Sequence, residues 1–321
     1  MVATPRKTAV GTAHSKLILI GEHAVVYGKP AIALPFPVIE ARAIIEAVQD
    51  TNTILFESPY YNGSYREMPS NMKGITICID ETLACLGEKS KGLRIQMSST
   101  IPLGRGLGSS AAIAIAIVRG LYQFFGQALN NEKLKELVHI SETYAHGNPS
   151  GIDAAASASD YPIWFQHGSA TTTLQIGGPF YLVVADTGRI GNTFGAVKSI
   201  KDMYVRDPLT TEKSIALIEE NTVQAKKAII HGDLHLLGKT LDAAQRELTT
   251  LGVSDEQIDH LVNVARRAGA LGAKLTGGGR GGCILTLAKD QKHVKELEEA
   301  LLAAGADQTW HFQVGENLIE K

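Results

Sequence analysis

Pro102-Leu103-Gly104-Arg105-Gly106-Leu107-Gly108-Ser109-Ser110-Ala111-Ala112 is the stretch on which the reading of this 321-residue chain turns. Just before it, Leu93-Arg94-Ile95-Gln96-Met97 alternates apolar and polar residues, the pattern of a strand. Just after it, residues 111–122 are almost unbroken Ala, Ile, Val and Leu, which predicts a buried helix. Glycines at every second position therefore join a strand end to a helix start. Glycine permits positive φ and lets the main chain come close to a ligand. A helix start offers unpaired N–H groups and the positive end of the dipole, which together suit a phosphate. Ser109 and Ser110 suit the N-cap, and either hydroxyl can instead reach a phosphate-bound metal. A P-loop is excluded because no Lys follows Gly108, and a Rossmann fingerprint because Ser109 stands where its third glycine belongs. The bland alternative is a tight strand-to-helix turn with a capped helix.

The composition is that of a globular protein, with 44% hydrophobic and 20% charged residues. Thirty-two glycines and only 6% aromatics favour an enzyme of mixed helix and strand rich in tight turns. The length favours two domains over one. A formal charge of −2 gives no electrostatic reason to expect nucleic acid or an anionic membrane as partner, so any anion binding must be local. Cys78, Cys85 and Cys283 are odd in number and show no metal-type spacing, which fits a reducing compartment. The apolar run Leu17-Ile18-Leu19-Ile20 is too short for a signal peptide, and no stretch is long enough for a membrane span. A cytoplasmic location is expected.

Along the chain, residues 16–20 read as a strand running into Gly21-Glu22-His23-Ala24-Val25-Val26-Tyr27-Gly28-Lys29-Pro30. Glu22 and His23 lie just past the strand end, where ligand-facing polar groups cluster. Taken singly, Lys16 reads as a solvated lysine and His23 as a hydrogen-bonded structural histidine. Residues 31–47 alternate as one or two strands, and 51–71 form a hairpin or an irregular excursion. Helices are expected over 74–86 and 131–144, the latter with Leu134, Leu137, Val138 and Ser141 on one side. Strands are expected within 164–176 and over 180–185, 284–287 and 309–314. Further helices are expected over 213–230, 234–247, 257–268 and 294–304. The domain boundary is placed at 176/177, immediately before the break at Gly177-Gly178-Pro179.

Two more stretches carry chemistry. In Glu142-Thr143-Tyr144-Ala145-His146-Gly147-Asn148-Pro149-Ser150-Gly151-Ile152-Asp153, proline and two glycines stop a helix and force a turn. Asp153 then opens a small-residue run, either as an N-cap or as a carboxylate available to hold a proton. On spacing alone Glu142 reads as an exposed helix charge, although it is also a hard oxygen donor suited to Mg²⁺. Near the carboxyl end, Lys274-Leu275-Thr276-Gly277-Gly278-Gly279-Arg280-Gly281-Gly282-Cys283 packs five glycines into six residues. So many are costly to order, and close approach to a ligand or to the first glycine loop explains them better than a plain loop.

Singly these signals are weak, but their order is informative. The chain resembles the GHMP family of small-molecule kinases over the blocks 16–30, 102–112, 142–153 and 274–283. Gly21-Glu22-His23-Ala24-Val25-Val26-Tyr27-Gly28 is the most discriminating block, and it resembles the branch acting on mevalonate. Galactokinases share a Gly-Glu-His beginning but continue differently, and homoserine kinases lack the block. One departure is His14-Ser15, where the family usually has Pro-Gly.

The resemblance implies a two-domain α+β GHMP kinase fold with the active site in the cleft between the domains, spanning 1–176 and 177–321. It implies ATP contacts at Ser99, Pro102, Gly104, Arg105, Gly106, Leu107, Gly108, Ser109 and Ser110. Ser110 and Glu142 would be Mg²⁺ ligands, Asp153 the catalytic carboxylate and Lys16 its charged neighbour. Glu22, His23 and Thr193 would face the acceptor substrate. The implied reaction moves the ATP γ-phosphoryl to the 5-hydroxyl of mevalonate, in isoprenoid precursor synthesis. Expected partners are thus ATP and mevalonate, with Mg²⁺ as cofactor and a homodimer as the assembly.

These residue types suit that chemistry. Phosphoryl transfer asks mainly for positioning and charge neutralisation. Main-chain N–H groups and a cation gather phosphate charge, a carboxylate orients the acceptor hydroxyl, and a lysine favours negative charge on the reacting oxygen. Other GHMP kinases, acting on phosphomevalonate or sugars, are the neighbouring alternatives, and a related decarboxylase differs in its amino-terminal block. A nucleotide sensor without turnover is the alternative of a different class. The presence of Lys16, Ser110, Glu142 and Asp153 together argues against it.

Overall fold

The computed structural model describes residues 7–49, 51–146 and 150–315, with only the backbone described at 145 and 146. Its contacts divide the chain into two compact units. The first comprises the residues up to Ser15, Ile39–Pro102 and Gly108–Ala158. The second comprises Lys16–Val38, Leu103–Leu107 and everything from Ser159 onward. This interleaved division differs from the single boundary at 176/177. The reason is strand length: β1 (Thr8–Ile20) and β2 (Ala31–Ala47) each run through both units.

In the first unit, the later half of β2 pairs antiparallel with β5 (Leu93–Ser99), Ala41 opposite Ser99 and Ala47 opposite Leu93. Strand β3 (Ile54–Ser58) lies parallel to β5 and forms a hairpin with β4 (Tyr61–Ser64). The helices are α1 (Lys73–Leu86), α2 (Ser109–Phe125), α3 (Asn131–His146) and α4 (Ile152–Ser157). Small residues in α2 let neighbours approach. A Cβ on Gly11 of β1 would lie 2.0 Å from the Ala116 carbonyl oxygen. On α3, Leu134, Leu137, Val138 and Ser141 are all buried, as the 3.6-residue period predicts. Ser141 Oγ donates to the Gly74 carbonyl at 3.0 Å, tying α3 to α1.

In the second unit, the start of β2 pairs with β6 (Ile163–Phe165), which pairs in turn with β7 (Thr172–Thr173). A separate antiparallel sheet is built from β8 (Phe180–Asp186), β9 (Gly272–Thr276), β10 (Cys283–Leu287) and β11 (Gln308–Val314). Its strand order is β11-β8-β10-β9. The helices are α5 (Thr193–Arg206), α6 (Pro208–His231), α7 (Leu234–Thr250), α8 (Glu256–Arg267) and α9 (Gln291–Ala303). They share a core with Val183, Ala185, Ala273, Leu275 and Ile284 of the sheet. Each start carries an acidic or amide cap, from Asn192, Asp207, Asp233, Asp255 and Asp290, contributing about 1 kcal/mol apiece. Helix α5 and strand β9 are additions to the elements read from the sequence. Among the described residues, no helix is long and apolar enough to cross a membrane.

Candidate active site

The glycine loop does what its composition predicts. Gly104, Gly106 and Gly108 all take positive φ, at 71°, 76° and 75°. Helix α2 begins at Ser109, and its N-cap is Gly108, not Ser109 or Ser110. No side chain caps this helix start, because a residue in the left-handed region at that point has to be glycine-like. The first turn is therefore left to an outside acceptor, as anion sites at helix starts require. Ser110 is half-buried there, and the buried Ser109 hydroxyl has no partner among the described residues. Ser99 is exposed at the end of β5, where its Oγ accepts from the Ile101 N–H at 3.1 Å.

Within the second unit, residues 103–107 are locked against the carboxyl-terminal glycine loop. The Gly106 Cα–H side faces Thr276 and Gly277 so closely that a Cβ there would lie 3.2 Å from the Thr276 oxygen. A Cβ on Gly277 would lie 3.0 Å from Gly106, and one on Gly282 would lie 2.9 Å from the Arg105 oxygen. The Gly191 N–H donates to the Gly104 carbonyl at 2.8 Å. Close approach to the first loop thus accounts for Gly277 and Gly282, while Gly278, Gly279 and Gly281 lie close against Thr193, Val253 and Ile190.

Lys16 belongs to the same assembly and is not a solvated lysine, being 2% exposed. Its N–H donates to the Leu107 carbonyl at 3.2 Å, and its Nζ to the Gly106 carbonyl at 3.1 Å. Arg105, expected as an ATP contact, has one edge of its guanidinium on Asp186, while Nη1 is buried with no hydrogen-bond partner among the described residues. Nε donates to Asp186 Oδ2 at 2.9 Å, while Oδ1 of the same carboxylate accepts from the Gly188 N–H at 2.8 Å.

His23 and Thr193 converge on Gly278, and Glu22 lies against Lys274. The His23 ring donates through Nε2 to the Gly278 carbonyl at 3.1 Å, which leaves Nδ1 as the acceptor of a neutral imidazole. Burial pushes its pKa down to about 4, with the charges of Lys274 and Arg280 adding to the effect. His23 holds φ at 63°, a strained value for a side-chain-bearing residue. Its structural reading is therefore met by the Gly278 bond. Thr193 opens α5, and a Cβ on Gly278 would lie 2.2 Å from its Oγ1. Glu22 is buried against Lys274 Nζ, which bonds its Oε1.

In the first unit, Glu142 is 4% exposed on α3 and so is not a solvated helix charge. Asp153 is not an N-cap, since Gly151 holds that position at φ 84° and Asp153 falls in the first turn of α4. A carboxylate there is favoured by the helix dipole. Residues 147–149 of the motif before it, and the His146 side chain, lie outside the described residues.

Sequence reasoning assigned no role to Lys274, Asp186 or Arg280. Arg280 anchors the second loop through Gly252 O at 3.1 Å and Ser199 Oγ at 2.8 Å. The available signal was a lysine inside the apolar strand Gly272–Thr276, since a buried charge requires a partner.

Comparison with known proteins bears on the family and the fold. A family model described as the GHMP kinases N terminal domain matches residues 73–160, and one described as GHMP kinases C terminal matches residues 225–307. A mevalonate kinase of Thermococcus sibiricus is 33% identical over 324 residues, covering 92% of this chain and 93% of that protein. The crystal structure of mevalonate kinase from methicillin-resistant Staphylococcus aureus MRSA252 is 32% identical, with a TM-score of 0.71 over 95% of this chain and 98% of that one. The structure of L. major mevalonate kinase in complex with R-mevalonate has a TM-score of 0.85 over 97% of each chain. At 24% identity, that last likeness bears on the fold alone.

Proposed function

The chain belongs to the GHMP kinase family, and on that premise we propose that it transfers the γ-phosphoryl group of ATP to the 5-hydroxyl of mevalonate, giving 5-phosphomevalonate and ADP. The observation that carries this reading is likeness to mevalonate kinases over nearly the full length of both chains. The product is a precursor on the route to isoprenoids.

In this reading the loop Gly104, Arg105, Gly106, Leu107 and Gly108 and the uncapped start of α2 at Ser109 and Ser110 bind the ATP phosphates, with Ser99 and Pro102 at the flank. Lys16 sets the loop's shape through the Gly106 and Leu107 carbonyls. Asp153 orients the acceptor hydroxyl and takes its proton, and the charge of Lys16 favours the negative oxygen that results. Glu22, His23 and Thr193 hold the acceptor alcohol. With Nε2 committed to Gly278, the neutral His23 offers only an acceptor nitrogen and carries no charge toward the substrate carboxylate.

The donor chemistry fits Mg²⁺. A hydroxyl at Ser110 and a buried carboxylate at Glu142 are hard oxygen donors, and burying such a carboxylate is favourable where a cation joins it. Among the described residues no cluster of three or more His, Cys, Asp or Glu could hold a metal alone. When bound, Mg²⁺ would neutralise charge on the β- and γ-phosphates. A homodimeric assembly and cytoplasmic residence complete the proposal, to be checked by sedimentation and fractionation.

A coupled ADP-release assay over mevalonate, phosphomevalonate, galactose and homoserine tests the substrate. Mevalonate-dependent, Mg²⁺-dependent ADP release is expected. Turnover of phosphomevalonate with none of mevalonate overturns the reading.

A further inference from the structure

Glu22 and Lys274 form a buried ion pair whose cost calls for an explanation. Lys274 is 0% exposed and Glu22 2%. Their own pairing satisfies only half of the carboxylate: Oε1 accepts from Lys274 Nζ, whereas Oε2 is buried with no hydrogen-bond partner. Lys274 also donates to the Leu275 carbonyl. The period of β9 sets this up. Ala273 and Leu275 enter the core, while Lys274 and Thr276 take the opposite face, where Thr276 Oγ1 donates to the Ile18 carbonyl at 2.9 Å. That bond fixes the end of β1 four residues before Glu22.

A buried ion pair is seldom more stabilising than a well-packed apolar pair, and an unsatisfied carboxylate oxygen makes this one worse. We propose that Lys274 is the positioning residue of the acceptor subsite, fixing Glu22 through one oxygen so that the other accepts a hydrogen bond from a hydroxyl of the alcohol substrate. The inference rests on the reading that Glu22 faces that alcohol. Burial pushes the Glu22 carboxyl up, and the charges of Lys274 and then Lys16 oppose the rise. Burial likewise pushes the Lys274 ammonium down against the attraction of Glu22. Without Lys274 the desolvation of Glu22 is opposed only by its backbone hydrogen bond and the more weakly acting charge of Lys16. A protonated Glu22 turns an acceptor into a donor and misreads the hydroxyl.

The test is a kinetic cycle on the full chain: wild type, Lys274→Met, Lys274→Arg, Glu22→Gln and the double variant Glu22→Gln/Lys274→Met. Lys274→Met should raise the mevalonate KM about 10- to 100-fold, the worth of a charge-assisted hydrogen bond, and leave the ATP KM near wild type. The acid limb of its pH profile should move to higher pH, and Lys274→Arg should recover most of the loss. The double variant should be no worse than Glu22→Gln and should melt above Lys274→Met, because no charge is left buried alone. If Lys274→Met does not fold, comparison of the double variant with Glu22→Gln decides. A wild-type mevalonate KM in folded Lys274→Met overturns the inference, as does a double variant clearly worse than Glu22→Gln. Absence of mevalonate turnover in the wild type instead refutes the function and, with it, the subsite.

Discussion

Lys16 Nζ donates to the Gly106 carbonyl at 3.1 Å, across 90 residues of sequence. A lysine buried to this degree is costly unless it is engaged, and here it braces the glycine loop at Gly106. Its charge is thereby held next to the main chain that is proposed to meet ATP.

Lys16→Met should consequently lower kcat about 10²- to 10³-fold, the usual effect of losing one preorganised electrostatic contact. The ATP KM should rise as well, since the loop loses its brace. Steady-state kinetics at saturating mevalonate check this, and a variant with unchanged kcat removes Lys16 from the chemistry.

Asp153→Asn should cut turnover about 10²- to 10⁴-fold, the range for loss of a general base. Nucleotide binding, measured by equilibrium titration with a fluorescent ATP analogue, should stay near wild type. Normal turnover would leave Asp153 with only its place in the first turn of α4.

Gly277→Ala should destabilise the fold by roughly 1–3 kcal/mol, because φ is 79° and the new Cβ would meet Gly106 at 3.0 Å. The ATP KM should rise with it, as the first loop is pushed out of shape. Urea unfolding with parallel kinetics reads both. Wild-type stability would mean the two loops do not constrain each other.

Asp186→Ala leaves the Arg105 guanidinium buried without its carboxylate. A loss of about 3 kcal/mol is expected for an uncompensated buried charge. Asp186→Ala combined with Arg105→Met should recover part of that loss, whereas additive losses would exclude coupling between the two.

His23 gives the protein a pH-dependent stability. Its folded pKa, about 4, lies below the unfolded value of 6.5, so the unfolded chain binds more protons between the two. Stability should therefore fall as pH drops through that window, by roughly 3 kcal/mol in full. Melting curves of wild type and His23→Asn, taken between these values, should converge as pH falls. Parallel curves would exclude His23 as the source.

Much of the fold was legible because it is written in short-range pattern. The alternation at 93–97, the glycines at 104–108 and the apolar run after them specify strand, turn and helix through backbone geometry alone. The face of α3 carrying Leu134, Leu137, Val138 and Ser141 follows from helical period. Helix α5 escaped because residues 193–206 bury little, with Ala196 and Ile200 its buried positions, so no apolar stripe marks it. Lys16 and Glu142 looked solvated for a related reason: side-chain type predicts exposure only where no partner is brought to it.

The sequence by itself determined the local conformations, the order of the chemistry-bearing blocks and hence the kinase family. The tertiary structure decided the pairings: Glu22 with Lys274 across 252 residues, Arg105 with Asp186 across 81, and Gly106 with Gly277. Local pattern reports which hydrogen-bond period a segment prefers and which face it buries. Which buried charge meets which depends on what strands and loops become neighbours, and only the folded chain sets that.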